Sequence, residues 1–360
     1  MKDVVFFVFD PSPRIDRRIV EFINEGYKVH VYGFANDINI KYVTNNIYEY
    51  HKLSNMSSGM SYIKRLNNIK LILDIIKLFD RNETLFYFFT LNVAIATLLI
   101  KNINYVYEES DMLFDRCKNK FAQKIIISVN KRIIKKSKLT VFTSEGFGEY
   151  YYGKKVPKNI CIVPNRVSPD CLKLPTIEKA KFDIKHIKIG FVGNIRYQSI
   201  LNVSKIVSEK FPSYEFHYYG NIDGLSDCQK QELSNQKNVI YHGLFKNPTD
   251  LPSIYASIDL VVCTYDIEGI NPRYAEPNKL YESMFYETPM MVSSNSFLAD
   301  KVERLGIGFS VDANNLQDIE DKIRSISAKN YNHYLNALKS IQKSETININ
   351  KHLFEYIKSL

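Results

Sequence analysis

Cysteine is scarce and scattered: Cys117, Cys161, Cys171, Cys228 and Cys263 occur in 360 residues, with no CxxC pair and no histidine cluster beside them. That excludes a disulfide framework and a zinc site of ordinary spacing, and it reads as a reducing compartment, so the chain is expected in the cytoplasm. A secretory signal is missing as well; the opening "DVVFFVF" reads as a buried strand. Long apolar runs are absent but for residues 84–100, "TLFYFFTLNVAIATLLI". A spanning helix needs about 20 apolar residues, and Thr90 and Asn92 interrupt this stretch, so a buried strand, a turn and a buried helix are expected. There are no repeats at solenoid periods, no low-complexity tracts, and no helix-turn-helix, RRM or zinc pattern. A nucleic-acid reader is therefore not expected.

What is present is a globular composition, 45% hydrophobic and 24% charged, over a length that suits two domains. The charge is uneven. Residues 1–170 hold 26 Lys and Arg against 17 Asp and Glu, which accounts for the whole net charge of +9. Such a half is attracted to anionic lipid, nucleic acid or a phosphorylated acceptor. A merely basic, solvated surface gives the same count.

Strand and helix periods alternate in two runs. In the first, "DVVFFVF" leads into the amphipathic helix "PSPRIDRRIVEFINEGY", with Ile15, Ile19, Phe22 and Ile23 on one face, and then into "KVHVYGF". "TLFYFF", "INYVYEES", a basic helix over 119–136 and "LTVFTS" follow. Residues 165–186 carry Pro169 and Pro175 and little periodicity. The pattern restarts at "IKIGFVGN" and continues through "YEFHYYG", "NVIYHGL", "IDLVVCTY", "ETPMMVSS" and "GIGFSVD". The expected fold class is α/β: two Rossmann-like doubly wound domains facing a central cleft. Their expected bounds are 1–168, a linker over 169–186, a second domain over 187–345, and a C-terminal helix over 346–360 returning to the first. In such sheets ligands sit outside the carboxyl ends of the strands.

Two strand ends carry chemistry. After "IGFV", Gly193 and Asn194 allow close backbone approach, a helix N-terminus follows, and Arg196 adds a cation: the parts of a phosphate site. In "EPNKLYESMF", Pro277 opens a helix that places Lys279 in its first turn, against the helix dipole, where an anion would reconcile it. Glu282 lies one turn on, on nearly the same face. A carboxylate there suits a ribose hydroxyl. A plain surface Lys–Glu pair satisfies the same spacing.

The motifs "FVGNIR", "YHGLFKNPTDLPSIYASIDLVVCTY" and "EPNKLYESMFYETPMMVSS", followed by "GIGFSVD", resemble in that order the retaining GT-B glycosyltransferases, in particular glycosyltransferase family 4 of bacterial polysaccharide, capsule and lipopolysaccharide assembly. The likeness runs continuously over 187–312 and is looser before that. It implies GT-B architecture and a glycosyltransferase that moves a sugar from a UDP- or GDP-sugar, with retention and with no required metal or other cofactor. No DxD-type pair at a strand end offers metal ligands. It further implies that Arg196 and Lys279 meet the donor diphosphate, that Gly193, Asn194, Asn278 and Leu280 line it, and that Glu282 holds the ribose. Gly220, Gly243 and Leu244 fall near the base. A glycan or lipid-linked glycan is the implied acceptor.

The departures are specific. Tyr274 stands eight positions before Glu282, where the family usually has a glutamate; Glu276 and Glu268 lie nearby at other spacings. Gln198 and Ser199 stand where a lysine is common. In "YEESDM", Ser110 takes the place of a histidine, which makes Asp111, and after it Glu109, the candidate catalytic bases; both could equally cap the next helix. Arg14 and Arg17 are candidate acceptor-binding residues, and Arg17 and Arg18 read equally well as the solvent face of the first helix. The helix over 119–136 fits an anionic membrane surface or a core-facing helix with a solvated basic side. Two rival functions stay open, a non-catalytic partner subunit of the same fold and a GT-B-like sugar-nucleotide epimerase. Loops 52–64 and 269–275 are expected to set sugar and acceptor choice.

Overall fold

The computed structural model describes residues 3–35, 47–55 and 62–360, and divides into two compact units, Met1–Val163 with Asn350–Leu360, and Pro164–Ile349.

The first unit is a seven-stranded parallel sheet. Its strands are β1 (Asp3–Val8), β2 (Lys28–Ala35), β3 (Tyr50–Asn55), β4 (Thr84–Phe89), β5 (Tyr105–Glu109), β6 (Leu139–Phe142) and β7 (Ile160–Ile162), in the order β3-β2-β1-β4-β5-β6-β7. Between them run α1 (Pro13–Asn24), α2 (Tyr62–Ile76), the short α3 (Leu91–Ala94), α4 (Lys120–Lys136) and α5 (Glu145–Tyr152). Ser12 caps α1, its hydroxyl accepting from the Ile15 N–H, with Pro13 in the first turn. Gly26, at φ +84, lets the chain turn away. Ile15, Ile19 and Phe22 of α1 are buried against Phe6, Tyr87 and Phe89; each is worth about 1.5–3 kcal/mol over exposure. The C-terminal helix α15 (Lys351–Lys358) joins this core through Leu353, Phe354 and Ile357, and Lys358 pairs with Glu25 of α1 at 2.7 Å.

In the second unit six parallel strands are ordered β10-β9-β8-β11-β12-β13. They are β8 (Lys188–Val192), β9 (Glu215–Tyr219), β10 (Val239–Gly243), β11 (Leu260–Cys263), β12 (Met290–Ser293) and β13 (Gly308–Val311). The helices are α6 (Gln198–Lys210), α7 (Asp227–Ser234), α8 (Leu251–Ala256), α9 (Ile270–Tyr274), α10 (Asn278–Phe285), α11 (Phe297–Leu305), α12 (Leu316–Arg324), α13 (Ala328–Ser340) and α14 (Lys343–Thr346). In both sheets the strand order reverses beside the first strand, between β1 and β4 and between β8 and β11. Those are the switch points at which such sheets take ligands.

Residues 169–186, expected as a linker, fall within the second unit, together with 164–168, expected in the first domain. Val167 bridges to Ile347, and Val167 and Cys171 belong to the unit's core. The apolar stretch 84–100 is β4, a turn at Thr90 and short buried helices; among the described residues no helix is long and apolar enough to cross a membrane. Of the 52–64 loop, residues 56–61 lie outside the described residues, and its flanks are the end of β3 and the start of α2. Loop 269–275 is mostly α9.

Candidate functional site

At the β8/β11 switch point the chain encloses a cavity of 270 Å³. Val192 and Gly193 reach it from the end of β8 and just past it, Tyr265 from beyond β11, Phe245 and Asn247 from the segment after β10, and Pro277, Asn278, Lys279 and Glu282 from the start of α10. Gly193 and Gly220 sit at φ +138 and +136, and a Cβ on Gly220 would fall 1.9 Å from the Gly193 carbonyl oxygen. Only glycine allows the ends of β8 and β9 to close together. A Cβ on Gly193 would lie 2.9 Å from Nζ of Lys279, so the bare backbone and the ammonium share one wall. That ammonium rests 4.7 Å above the Phe191 ring, an attraction that holds it at the cavity.

The two helix N-termini at this end of the sheet differ. The one after Gly193, α6, is filled: the Asp266 carboxylate accepts from the N–H groups of Gln198 and Ser199 at 3.2 and 3.0 Å. The anion site expected there from sequence is thus taken by the chain itself. The N-terminus of α10 begins at Pro277 with no side-chain cap. Its dipole and Lys279 both favour an anion in the cavity. Glu282 is buried, with Oε2 accepting from the Tyr255 hydroxyl at 2.7 Å.

The other expected donor residues are more dispersed. Arg196 is exposed, its guanidinium donating to the neighbouring Tyr197 hydroxyl at 2.9 Å, and it does not line the cavity. Asn194 is exposed. The Leu280 side chain is fully buried in the core rather than turned to the cavity. Gly220 donates its N–H to the Gly243 carbonyl at 2.7 Å, aligning the ends of β9 and β10. Leu244, just beyond, is 80% exposed. Glu276 does not replace the carboxylate missing at Tyr274: it is buried, paired with Lys301 at 3.2 Å and bonded by the Tyr281 hydroxyl. Tyr255 and Tyr265 were not legible here, because an aromatic residue in or beside an apolar run reads as core, and Phe245 and Asn247 lie just past the stretch read from sequence.

In the first unit the carboxylates of β5 point to opposite faces, as neighbours on a strand must. Glu108 is fully buried beside Arg18 (Nε 3.2 Å), Arg14 (3.5 Å) and the Tyr87 hydroxyl. Burial pushes its pKa up, but the two guanidinium groups and the hydroxyl outweigh that and hold it below the usual carboxylate range. Arg18 is therefore not on a solvent face; it is 4% exposed and also bonds Glu21. Arg17 is half-buried, and burial lowers its pKa even against Glu21. Arg14 keeps partial exposure, with its charge opposed by Glu108.

Glu109 faces the other way and is 1% exposed, its Oε1 accepting from Asn130 at 2.7 Å and Tyr151 at 3.1 Å. Burial raises its pKa to about 8 despite those bonds. A group so enclosed cannot reach an acceptor hydroxyl, which corrects its reading as a base. Asp111, two residues past the strand, is exposed. At the β1/β4 switch point Thr90 stands at φ +75, strained for a β-branched residue, with its hydroxyl buried and without a hydrogen-bond partner among the described residues.

Residues 176–344 match the family described as Glycosyl transferases group 1. No curated protein sequence matches the chain. Among solved structures it is similar to HepE of Anabaena in complex with UDP, at 16% identity and TM-score 0.73 with both chains covered in full. It also resembles the sucrose-phosphate synthase of Thermosynechococcus elongatus, at 14% identity and TM-score 0.65, again with full coverage of both chains. A third is the UDP-GlcNAc 2-epimerase of Neisseria meningitidis bound to UDP-GlcNAc, at 15% identity and TM-score 0.64, covering 99% of this chain and 100% of that one. At such identities the likeness establishes the fold, which is that of the GT-B glycosyltransferases. Residues 176–344 thus match a group 1 glycosyltransferase domain within a chain of GT-B fold, which supports a transferase.

Proposed function

We propose that the protein transfers a sugar from a nucleoside-diphosphate sugar, with retention, to a glycan or lipid-linked glycan in cell-surface polysaccharide synthesis, on the cytoplasmic side. The observation that carries this is the pairing of Lys279 and Glu282 around one cavity, at the uncapped N-terminus of α10 and with the backbone of Gly193 on the same wall as Lys279. Lys279 and the helix dipole would stabilise the diphosphate as charge develops on it during departure. Arg196, on the loop beyond Gly193, would reinforce them after a change of rotamer. Glu282, aimed by Tyr255, would accept from a ribose hydroxyl. Phe245 and Asn247 extend the base region expected near Gly220, Gly243 and Leu244. HepE, whose structure contains UDP, favours a uridine donor. Asp111 is the proposed group that takes the acceptor hydroxyl's proton.

The test is thermal-shift binding of UDP and GDP to wild type and Lys279→Ala. Stabilisation by one nucleotide that the variant loses supports the donor site; no stabilisation by either overturns it. A second reading, a non-catalytic partner subunit, draws on Tyr274 and on the commitment of Glu276 to Lys301. Donor hydrolysis or transfer by the purified protein would exclude it.

Membrane contact belongs to the same proposal. On α4, Phe121 and Ile125 are 75% and 50% exposed, one turn apart, among Lys118, Lys120 and Lys124. This combination suits an anionic bilayer surface. Sedimentation with phosphatidylglycerol vesicles should be lost in Phe121→Ser/Ile125→Ser; unchanged sedimentation would reject this face.

A further inference from the structure

The second unit contains a larger cavity, 540 Å³, at the opposite end of α10. Phe285, Tyr286 and Glu287 form one wall; residues 171–179 cross it as a strap, and α8 and α13 supply Pro252, Ala256, Leu335 and Lys339. No residue lines both this space and the donor cavity. Its volume lies in the range that holds a small molecule, and its walls are of the matching kind, with apolar surface from Leu174, Ile177 and Phe285 and a few convergent charges.

Those charges favour an anion. Three lysines, Lys179, Lys339 and Lys343, line the cavity against two carboxylates, Glu178 and Glu287. Lys179 is mostly enclosed, donating to the Glu287 carbonyl at 3.3 Å and to the Thr288 hydroxyl, and burial lowers its pKa to about 8. A neighbouring anion would offset that cost of burial. Lys343 lies 5.3 Å from the Phe285 ring centre, so a cation sits directly on the apolar wall. Lys339 and Lys343 have no ion-pair partner among the described residues.

We propose that this cavity is a second ligand site, which takes a small amphipathic anion with its apolar body against Leu174, Ile177 and Phe285 and its carboxylate toward Lys339 and Lys343. The site borders the donor cavity through one stacked pair. The Tyr286 ring lies 5.0 Å from that of Tyr255 at 13°, and the Tyr255 hydroxyl is the group that holds Glu282.

Calorimetric titration of the full chain with 4-phenylbutyrate, the neutral 4-phenylbutanol and inorganic phosphate tests this. Phenylbutyrate should bind saturably at one site, at least tenfold more tightly than either of the others. Lys339→Ala/Lys343→Ala should weaken it about tenfold. Thr176→Trp, which fills the cavity from the exposed strap, should abolish it, while Lys173→Trp on the same strap, outside the cavity, should not. Absence of saturable binding, equal affinity for the alcohol, or equal loss in both tryptophan variants would overturn the proposal. Displacement of phenylbutyrate by UDP would do so too, by placing the probe in the donor cavity. Failure of UDP to bind at all would count against the donor site and leave this titration standing.

Discussion

The two units place acidic and basic side chains at the same kind of position, the carboxyl end of a parallel sheet, and use them in opposite ways. In the second unit Lys279 and Glu282 face a cavity, and the chain leaves the nearby N-terminus of α10 uncapped. In the first, Arg18 and Glu108 are turned inward and joined to Tyr87, Arg14 and Glu21. Charge at a switch point is therefore not by itself a site. The distinction lies in the cation: Arg18 is paired with Glu108 and Glu21, whereas Lys279 reaches the cavity over Phe191.

Substitution of one cation on each side sharpens this contrast. Arg18→Met leaves the Glu108 carboxylate buried without its closest cation, and loss of one member of a buried pair costs about 3–5 kcal/mol. Urea unfolding should show that loss, and UDP binding by the folded fraction should be unchanged. Lys279→Ala should do the reverse: a midpoint within about 0.5 kcal/mol of wild type, with transfer slowed on the order of 10²–10³-fold, as for removal of one preorganised electrostatic contact. If Arg18→Met proved harmless to folding, the buried pair would not be structural and the comparison would fail on that side.

Glu109 offers a smaller effect with a definite sign. Folded, it holds its proton to about pH 8, whereas an ordinary carboxyl releases it near 4.5. Between those values the folded chain binds the extra proton, so this group's contribution to stability falls as pH rises through the window. Glu109→Gln retains an oxygen acceptor for Asn130 and Tyr151 and removes the titration. The variant should match wild type near pH 4.5 and exceed it by on the order of 4 kcal/mol at pH 8.5. A difference independent of pH would show that Glu109 is not held protonated.

Much of the fold was legible because its signals are local. Alternating strand and helix periods, Ser12–Pro13 opening α1 and Pro277 opening α10 all act within a few residues. The cavity residues Gly193, Lys279 and Glu282 were legible for a related reason, since each follows a strand or lies in the first turns of a helix. What escaped depends on partners far along the chain. Nothing near "PSIYAS" shows that Tyr255 will hold Glu282, nor does Asp266 announce that it caps α6. The inward turn of Arg18 required Glu108, ninety residues away. Residues 169–186 read as a linker because what holds them, such as Cys171 in the second unit's core and Lys179 on Thr288, lies far along the chain.

The smallest effect belongs to a pair the sequence reading passed over. His217 of β9 and His242 of β10 share a hydrogen bond, Nδ1 to Nε2 at 2.9 Å, and the other nitrogen of His217 bonds Glu215 at 3.0 Å. A single proton between two rings requires that one be neutral. Burial lowers both pKa values; for His217 the Glu215 carboxylate opposes this only in part, and for His242 burial is the sole cause. Unfolded histidine titrates near pH 6.5, so the unfolded chain takes up protons first as pH falls. The pair's stabilisation is present above about pH 6.5 and is lost as pH drops through that value toward the lower folded ones. His242 is exposed at the edge strand, so screening reduces the effect to a few tenths of a kcal/mol. Urea midpoints at pH 7.5 and 5.5 should move further apart in wild type than in His242→Gln. Equal movement in both would assign the pH dependence elsewhere and leave β10 held by its ladder to β9 alone.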